Sequence, residues 1–264
     1  MSTTFLYTNP TLNKCLQDLS GKNLKCRYHI IFNILWNSFI TNSNAYIRSL
    51  TRYQPDINQT ELDFRDSTID IGKNLDQALH QNGLTSRIST RNEKVFAHFS
   101  NNLRQDNLTS FNRTLARFDT KRLPAGFLLT LLLQEHVSLV KRYIQNILQN
   151  NSTNAASIRQ ELTKNGENII KLYLKVSKWK GQDIVRDGCQ VWERYLSGIT
   201  DHVTEEVRKD YASSNRVLIK QQNESFCLAD YFYKVIVGVD AYSLMESACS
   251  TDHGAVEFTD EFDY

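Results

Sequence analysis

The residues best suited to chemistry in this chain lie in one short stretch that carries an arginine, an amide and a histidine: Arg91, Asn92 and His98. If the stretch is helical, the seven-residue step from Arg91 to His98 is close to two turns, so both side chains share one face. A histidine can transfer a proton near neutral pH, and a guanidinium stays charged and matches phosphate oxygens. We therefore predict Arg91, Asn92 and His98 as catalytic residues for phosphodiester cleavage.

The same stretch resembles the motif of the HEPN superfamily. In that superfamily an arginine and a histidine are separated by four to six residues, and the residue after the arginine is often Asn, Asp or His. Here six residues separate Arg91 from His98, and Asn92 fills the polar position. The Phe-Ala-His-Phe ending at 96–99 is similar to members found in abortive-infection and toxin–antitoxin systems. The resemblance covers about a dozen residues directly.

The resemblance implies an all-α, metal-independent endoribonuclease, which is a hydrolase that uses no cofactor and acts on RNA. It also implies a homodimer in which the motifs of two subunits face each other. A role in phage defence or as a toxin, with an antitoxin protein as a further partner, follows from the same likeness. On this interpretation His98 is the general acid or base, Arg91 stabilises charge on the phosphorane, and Asn92 orients the phosphate or His98.

A structural interpretation of the motif stays open beside the catalytic one. Charged residues such as Arg91 and Lys94 usually form a solvated helix face, and a histidine between Ala97 and Phe99 is often a half-buried, satisfied residue. The alternative function is a non-catalytic, all-α interaction or RNA-binding module. Burial of Arg91 or His98 against apolar residues would favour this module, whereas exposure of both in a groove would favour the enzyme.

Basic residues around the motif are candidates for RNA binding: Arg87, Lys94, Arg104, Arg113 and Arg117. The net charge of +2 and the isoelectric point near 8.2 neither require nor exclude a nucleic-acid partner, since a dedicated binder is usually more basic. A solvated helix face also explains the basic stretch at 104–122. We therefore treat these five residues as secondary to the Arg91–His98 motif.

The composition predicts an all-α fold. The 264 residues are 41% hydrophobic and 23% charged, which is typical of a globular protein, and they include only 3 Pro and 10 Gly. Apolar residues recur at threes and fours through most of the chain. We expect a compact bundle of about eight to ten helices with at most one short hairpin.

The apolar periodicity and the helix-breaking residues place these helices along the chain. The predicted ranges are about 10–19, 24–50, 61–82, 86–102, 106–118, 122–148, 155–178, 183–196, 201–213 and 228–248. The polar stretch at 150–154 is the best linker candidate, either as a loop between helices or as a domain boundary. We predict a HEPN-like helical domain in residues 1–150 and a C-terminal helical extension in 151–264, which belongs either to the same domain or to a second one.

Three further features bear on location and on other chemistry. The five cysteines have wide, irregular spacing without a zinc pattern, which favours reduced, buried thiols and a reducing compartment. No leader-like or membrane-spanning stretch is recognisable, so we expect a cytoplasmic protein without membrane attachment. Two other groups are better explained without binding: Arg27-Tyr28-His29 by core or surface positions, and the aromatic, basic stretch at 173–180 by the packing of a helix end.

Overall fold

A computed structural model describes residues 24–81, 124–177 and 182–237, and these ranges contain six α-helices and no strand. The helices are α1 (Leu24–Thr51), α2 (Ile57–Gln81), α3 (Ala125–Leu148), α4 (Ser152–Val176), α5 (Gln182–Arg208) and α6 (Tyr211–Val237). The all-α prediction is therefore confirmed for the described residues. The helices predicted at 10–19, 86–102 and 106–118 lie outside them.

The six helices form a closed ring of alternating direction. Each helix packs against the next in sequence, and α6 returns against α1. The pairing of α6 with α1 is antiparallel, because Arg48 near the end of α1 contacts Asn215 near the start of α6, whereas His29 near the start of α1 contacts Asp230. Helix α1 also contacts α3 and α5, so it lies towards the inside of the ring.

The core is unusually aromatic where α1 meets α6. Trp36 of α1 is fully buried and stacks on Phe232 of α6, with the ring centroids 4.8 Å apart. Phe232 in turn stacks on Tyr173 of α4 at 4.0 Å. These offset contacts join three helices, and aromatic pairs contribute about 0.5–1.5 kcal/mol each beyond the burial of their area.

Three short turns lie together at one end of the bundle, which we call the turn end. They are residues 52–56, 149–151 and 209–210. Each turn directly follows a helix and contains one residue of positive φ. These residues are Tyr53 (φ 54°), Asn150 (φ 56°) and Lys209 (φ 61°). The following amide of each turn bonds back to a carbonyl five residues earlier, as in Gln54 N–H to Ser49 O at 2.9 Å. This is the Schellman form of helix ending, which favours glycine at the left-handed position.

Local side chains also fix where the next helices begin. The Asn151 side chain accepts the backbone N–H of Asn154 at 3.2 Å at the start of α4, and Asp210 accepts that of Ser213 at 3.0 Å at the start of α6. Both are N-caps, in which a short polar side chain satisfies an otherwise unpaired amide of the first turn. The polar stretch predicted as a linker is thus a tight turn between two helices, and it ends at Asn151.

The C-terminal part of the described chain divides into helices differently from the prediction: residues 197–200 lie within α5 and residues 214–227 within α6, although both ranges were expected to lie between helices. Helices were expected at 183–196 and 201–213, but α5 runs unbroken through Gly198 and Asp201 to Arg208. Gly198 does not end the helix because it serves packing: a Cβ there would lie 2.6 Å from Cγ of Gln221 in α6. The count of eight to ten helices exceeds the six present in the described residues. Residues from Tyr231 to Val237, although rich in aromatic and β-branched side chains, are helical.

Of the two cysteines whose side chains are described, Cys189 agrees with the expectation of reduced thiols and Cys227 does not. Cys189 is free and half-buried, and burial raises the pKa of its thiol. Cys227 is disulfide-bonded, so the expectation is wrong for Cys227. None of the described helices is long and apolar enough to cross a membrane.

Candidate functional site

The residues predicted to do chemistry lie in the segment that joins α2 to α3. Arg91, Asn92 and His98, together with the RNA-binding candidates Arg87, Lys94, Arg104, Arg113 and Arg117, all fall within 82–123 and therefore outside the described residues. What the structure does describe is how the two ends of this segment are held. Helix α2 ends at Gln81, α3 begins at Ala125, and both points lie at the end of the bundle opposite the turn end.

A buried carboxylate links these two anchoring points. Asp76, near the end of α2, accepts the backbone N–H of Gly126 at 2.7 Å. Since Pro124 provides no side-chain cap for α3, Asp76 takes the place of one from the neighbouring helix. Burial raises the pKa of Asp76 to about 6, against a lowering effect of the Gly126 N–H. The start of α3 is thus tied directly to the end of α2.

Two glycines let the same helices approach closely. A Cβ on Gly126 would collide with the carbonyl oxygen of Gly72 and would lie 2.7 Å from the carboxyl carbon of Asp76. A Cβ on Gly72 would in turn collide with Thr130 and with the Gly126 carbonyl. No L side chain fits between the backbones here. The spacing of α2 and α3 where Gly72 faces Gly126 is therefore set by backbone contact rather than by adaptable side chains.

The described pair that most resembles a catalytic dyad is His29 with Asp230. The His29 Nε2 lies 2.5 Å from the carboxylate of Asp230, and the imidazole stacks on Tyr233 with 4.5 Å between ring centroids. A carboxylate that orients an imidazole is the arrangement found in general-base dyads. However, His29 is 1% and Asp230 3% exposed, and the second ring nitrogen of His29 is buried without a hydrogen-bond partner. In this arrangement no substrate atom reaches the imidazole.

A second buried histidine belongs to an ion network near the turn end. His202 of α5 bonds Asn44 of α1 at 3.0 Å and lies 3.6 Å from Glu206. Burial lowers the pKa of His202 to about 4, against a raising effect of Glu206, so the imidazole is neutral at pH 7. Its Nδ1 therefore donates to the Asn44 oxygen, and its role is to position the α1–α5 contact.

Glu206 is the centre of that network. Its carboxylate is buried and accepts two bonds from the Arg52 guanidinium, at 2.7 and 2.9 Å, and one from the Ser214 hydroxyl at 2.5 Å. Burial would raise the pKa of Glu206, but the bonds from Arg52 and Ser214 outweigh it and hold the pKa below its usual range. A bidentate arginine is the strongest partner for a buried carboxylate. The network therefore ties the last turns of α1 and α5 to the first turn of α6.

The third buried histidine, His136 of α3, is a core residue. Its Nε2 is hydrogen-bonded with the Tyr195 hydroxyl at 3.0 Å, and its ring lies edge-on to Trp192 with centroids 5.3 Å apart. Burial lowers the pKa of His136 to about 3, against a raising effect of Asn165. A neutral, fully buried imidazole of this kind stabilises packing and cannot exchange protons with a bound ligand at neutral pH.

The buried arginine of the described chain is likewise satisfied internally. Arg65 of α2 donates to Glu61 at 2.8 and 3.0 Å and to Gln134 of α3 at 3.0 Å. Lys141 completes the group with a bond to Glu61 at 2.8 Å. Burial alone would raise the pKa of Glu61, but its bonds with Lys141 and Arg65 outweigh burial and hold the pKa below its usual range. No part of this cluster resembles the exposed arginine that a phosphate-binding site needs.

Among the described side chains, His80 is the one exposed histidine, and it lies in the last turn of α2. Tyr28, His29 and Tyr173 are buried, in agreement with the packing interpretation of both groups, although 178–180 lie outside the described residues. No set of three or more His, Cys, Asp or Glu side chains in the described ranges is arranged to hold a metal ion.

Sequence reasoning did not find the buried networks. His29 and Asp230 are 201 positions apart in sequence, and Arg52 and Glu206 are 154 positions apart, so neither pairing leaves a local signal. One available signal was the phase of Glu206 on its helix, which follows the buried positions Ile199 and Val203 at helical spacing. Comparisons with protein-family models, with curated proteins and with solved structures find no match to this chain.

Proposed function

We propose that this protein is a metal-independent endoribonuclease of HEPN type. The observation that carries the proposal is the spacing Arg91-Asn92-x5-His98, with a small residue directly before the histidine. The three residue types together supply a proton-transferring group, a fixed positive charge and a polar orienting group for a phosphodiester.

Two features of the described chain are consistent with this assignment. The fold is all-α, as the resemblance requires. In addition, the three buried histidines are each engaged in packing or hydrogen bonds, and burial keeps His136 and His202 neutral. Proton transfer near neutral pH then falls to a histidine outside these networks, and His98 is the one that follows an Arg-Asn pair in the motif Arg91-Asn92-x5-His98.

In the proposed reaction the ribose 2′-hydroxyl attacks the adjacent phosphorus, and the bond from phosphorus to the leaving 5′-oxygen breaks. One histidine removes the proton of the 2′-hydroxyl, and another protonates the leaving 5′-oxygen. Arg91 stabilises the charge on the phosphorane between them. Because each chain supplies a single Arg–His pair, the second pair comes from a partner subunit, and we propose a homodimer whose two motifs face each other.

A cellular role in phage defence, or as a toxin restrained by an antitoxin protein, completes the proposal, together with a cytoplasmic location. Disulfides are rare in the cytoplasm, so the bonded state of Cys227 bears on the location. Differential alkylation of thiols in intact cells, followed by mass spectrometry, measures it directly. A reduced Cys227 in cells is expected for a cytoplasmic protein, and an oxidised one would place the protein in an oxidising compartment.

A non-catalytic interaction or RNA-binding module is the second candidate. The favouring observation is that the buried charges are paired within the fold, Arg65 with Glu61 and Glu206 with Arg52, as expected of a rigid scaffold. On this alternative the segment 82–123 presents a binding surface and Arg91 has no role in bond cleavage.

The test incubates purified full-length protein with RNA in excess EDTA. One structured and one unstructured RNA are used, and each is compared with the same RNA carrying 2′-O-methyl groups. The proposal expects cleavage of the unmodified RNA only, because the methyl group removes the attacking hydroxyl. Cleavage of both forms would contradict the mechanism. Loss of cleavage in EDTA that returns with added magnesium would contradict metal independence.

A further inference from the structure

The outer side of α1 is open to solvent and carries no charge. Helix α1 lies between α2 and α6, and its residues 28–47 contain no Asp, Glu, Lys or Arg. Ile34 is 61% exposed within this stretch. By contrast, the outer side of α4 carries Glu161, Lys164 and Lys171, as is usual for a helix face in water. Depletion of charged residues distinguishes the core of a protein–protein interface from the rest of a surface.

The accessible positions of α1 follow the spacing at which one helix packs along another. Ile34, Ser38 and Thr41 are exposed, and Ile31 and Ala45 are half-buried. Successive members of this set are three or four residues apart, which is the alternation found in the seam between two paired helices. Three of the five side chains are small, so a second helix can approach closely. We call these five residues the α1 seam.

The α2 side of the seam is on balance acidic. Asp63 is exposed, and its backbone carbonyl accepts the side-chain N–H of Asn42 at 3.1 Å, which places Asp63 beside that part of α1. The Asp63 carboxylate accepts the Gln59 side chain at 2.7 Å and has no ion-pair partner among the described residues. Asp70, two turns further along α2, is paired weakly with Lys73 at 3.9 Å.

The α6 side of the seam carries an exposed lysine. Helix α6 runs antiparallel to α1, with Asn215 bonded by Arg48 at 2.6 Å and Ser225 bonded to Asn37 at 3.4 Å. Lys220 is five residues from Asn215 and five from Ser225, so it lies level with the midpoint between Arg48 and Asn37. Within the described part of the chain, Lys220 has no ion-pair partner.

Asp63 and Lys220 therefore lie at the same level on opposite sides of the seam, since the midpoint between Arg48 and Asn37 falls beside Asn42. We propose that a second copy of this chain packs on the α1 seam, with the two α1 helices running in the same direction. A two-fold axis parallel to α1 brings α2 of each subunit against α6 of the other. Asp63 then faces the partner's Lys220, and the same contact is repeated on the other side of the axis.

The charges on the two sides of the seam decide the direction of the helices. If the two α1 helices ran in opposite directions, α2 would face the partner's α2, and Asp63 would approach acidic residues such as Asp70. Like charges across an interface are unfavourable, whereas opposite charges fix the orientation of the partners. Charge complementarity therefore selects the parallel arrangement.

The face is large enough for a specific dimer. Residues 31–45 of α1 span about 22 Å, and three helices side by side are about 30 Å wide. The face of α2, α1 and α6 then covers about 650 Å² per subunit, or about 1,300 Å² in total, within the range of about 1,200–2,000 Å² for specific complexes.

This inference rests on the proposed function for the expectation of a homodimer, and it adds where the subunits meet. Helix α2 ends at Gln81, where segment 82–123 begins. With parallel α1 helices, α2 of both subunits ends at the same end of the dimer. Both segments then begin at that end, as a composite site built from two facing motifs requires.

The first experiment measures the dissociation constant of the full-length dimer by sedimentation equilibrium over a dilution series. Ile34→Arg places two guanidinium groups against each other in the seam and should raise the dissociation constant by at least about 100-fold. Its helical circular dichroism signal should match that of the wild type, because Ile34 is exposed in the single chain. Gln160→Arg, at an exposed position of α4, is the matched control and should dimerise like the wild type.

A charge exchange tests the direction of the helices. Asp63→Lys and Lys220→Asp should each raise the dissociation constant by about tenfold, because two exposed pairs become like charges. An equimolar mixture of the two variants should form a mixed dimer of wild-type affinity, since the exchanged charges then face each other across one interface. With antiparallel α1 helices, Asp63→Lys would tighten the dimer instead.

Three results would overturn the interface. They are wild-type affinity in Ile34→Arg, unchanged or tighter association in Asp63→Lys, and a monomeric wild type. The first leaves the proposed homodimer in place, so failure of this interface is distinguishable from failure of the proposed function. A monomeric wild type that binds phosphatidylcholine vesicles through Ile34 would assign the seam to a lipid surface. An Ile34→Arg monomer that still cleaves RNA would support the interface and contradict the composite active site.

Discussion

His136 should make the stability of this protein depend on pH in a way that one substitution removes. Its imidazole is fully buried between α3 and α5, and burial lowers its pKa to about 3. In the unfolded chain a histidine titrates near pH 6.5. Between these two values the unfolded state binds a proton that the folded state does not. The stabilising contribution is therefore complete above the unfolded pKa and is lost as the pH falls below it.

The magnitude follows from the position of pH 5 between the two pKa values. At about one and a half units below the unfolded pKa, pH 5 keeps the imidazole of the unfolded chain protonated, while the imidazole of the folded chain stays neutral. Each pH unit corresponds to about 1.36 kcal/mol, so the wild type loses about 2 kcal/mol through His136 between pH 8 and pH 5. Other groups titrate too, and burial raises the pKa of Asp76 to about 6, which opposes the loss. A variant that replaces only His136 keeps these other groups, so their contributions cancel when its free energy of unfolding is compared with that of the wild type.

The variant is His136→Gln, which keeps a polar group within reach of the Tyr195 hydroxyl but does not titrate. It should be less stable than the wild type at pH 8, because it loses ring contacts with Trp192. The difference in free energy of unfolding should shrink by about 2 kcal/mol at pH 5. Urea unfolding at both pH values, at one protein concentration, measures it. A difference that stays constant between pH 8 and pH 5 would refute the neutral, buried assignment of His136.

Two further predictions concern the bundle and its assembly. Gly126→Ala should lower the free energy of unfolding by about 1–3 kcal/mol, because its Cβ would collide with the Gly72 carbonyl. This loss should exceed the gain from the helix preference of alanine. Unchanged stability in urea would show that α2 and α3 are not in backbone contact. Light scattering at tens of micromolar, a concentration within the usual range for specific homodimers, should give twice the chain mass of 30.6 kDa, and a monomer would contradict the composite active site.

The helical fold was predictable because its signals are local. Tyr28, Phe32, Trp36 and Phe39 recur at helical spacing and are all buried, so the periodicity of α1 correctly predicted both its start and its inward face. The helix predicted at 122–148 likewise corresponds to α3, which begins at Ala125. These signals depend on residues a few positions apart, which any helix must satisfy.

The unbroken α5 was not predictable from the same local signals. Gly198, Thr200 and Asp201 together are typical of a helix end followed by a new N-cap, and Glu205 suits a first turn. Tertiary contacts override that pattern, since Gly198 lies against Gln221 and Glu206 is bound by Arg52. Both partners are distant in sequence, so the reason for continuing the helix is invisible locally.

The candidate site divides in the same way. Arg91 and His98 could be identified because the motif is contiguous and its residue types are chemically distinctive. The paired state of His29 with Asp230, and the exposed, left-handed conformation of Tyr53, required the fold. Exposure and the sign of φ at Tyr53 are properties of the folded chain, and no residue pattern near it indicates them.

The central claim is that His98 performs proton transfer in RNA cleavage. The most direct measurement compares the cleavage rate of the wild type with that of His98→Ala in excess EDTA, with His80→Ala as the control for loss of an exposed histidine in the described chain. The account predicts that His98→Ala reduces the rate by about 10²–10⁴-fold with an unchanged thermal midpoint, and that His80→Ala cleaves normally. An unfolded His98→Ala protein together with an inactive wild type would contradict it, since His98 would then be a packing residue.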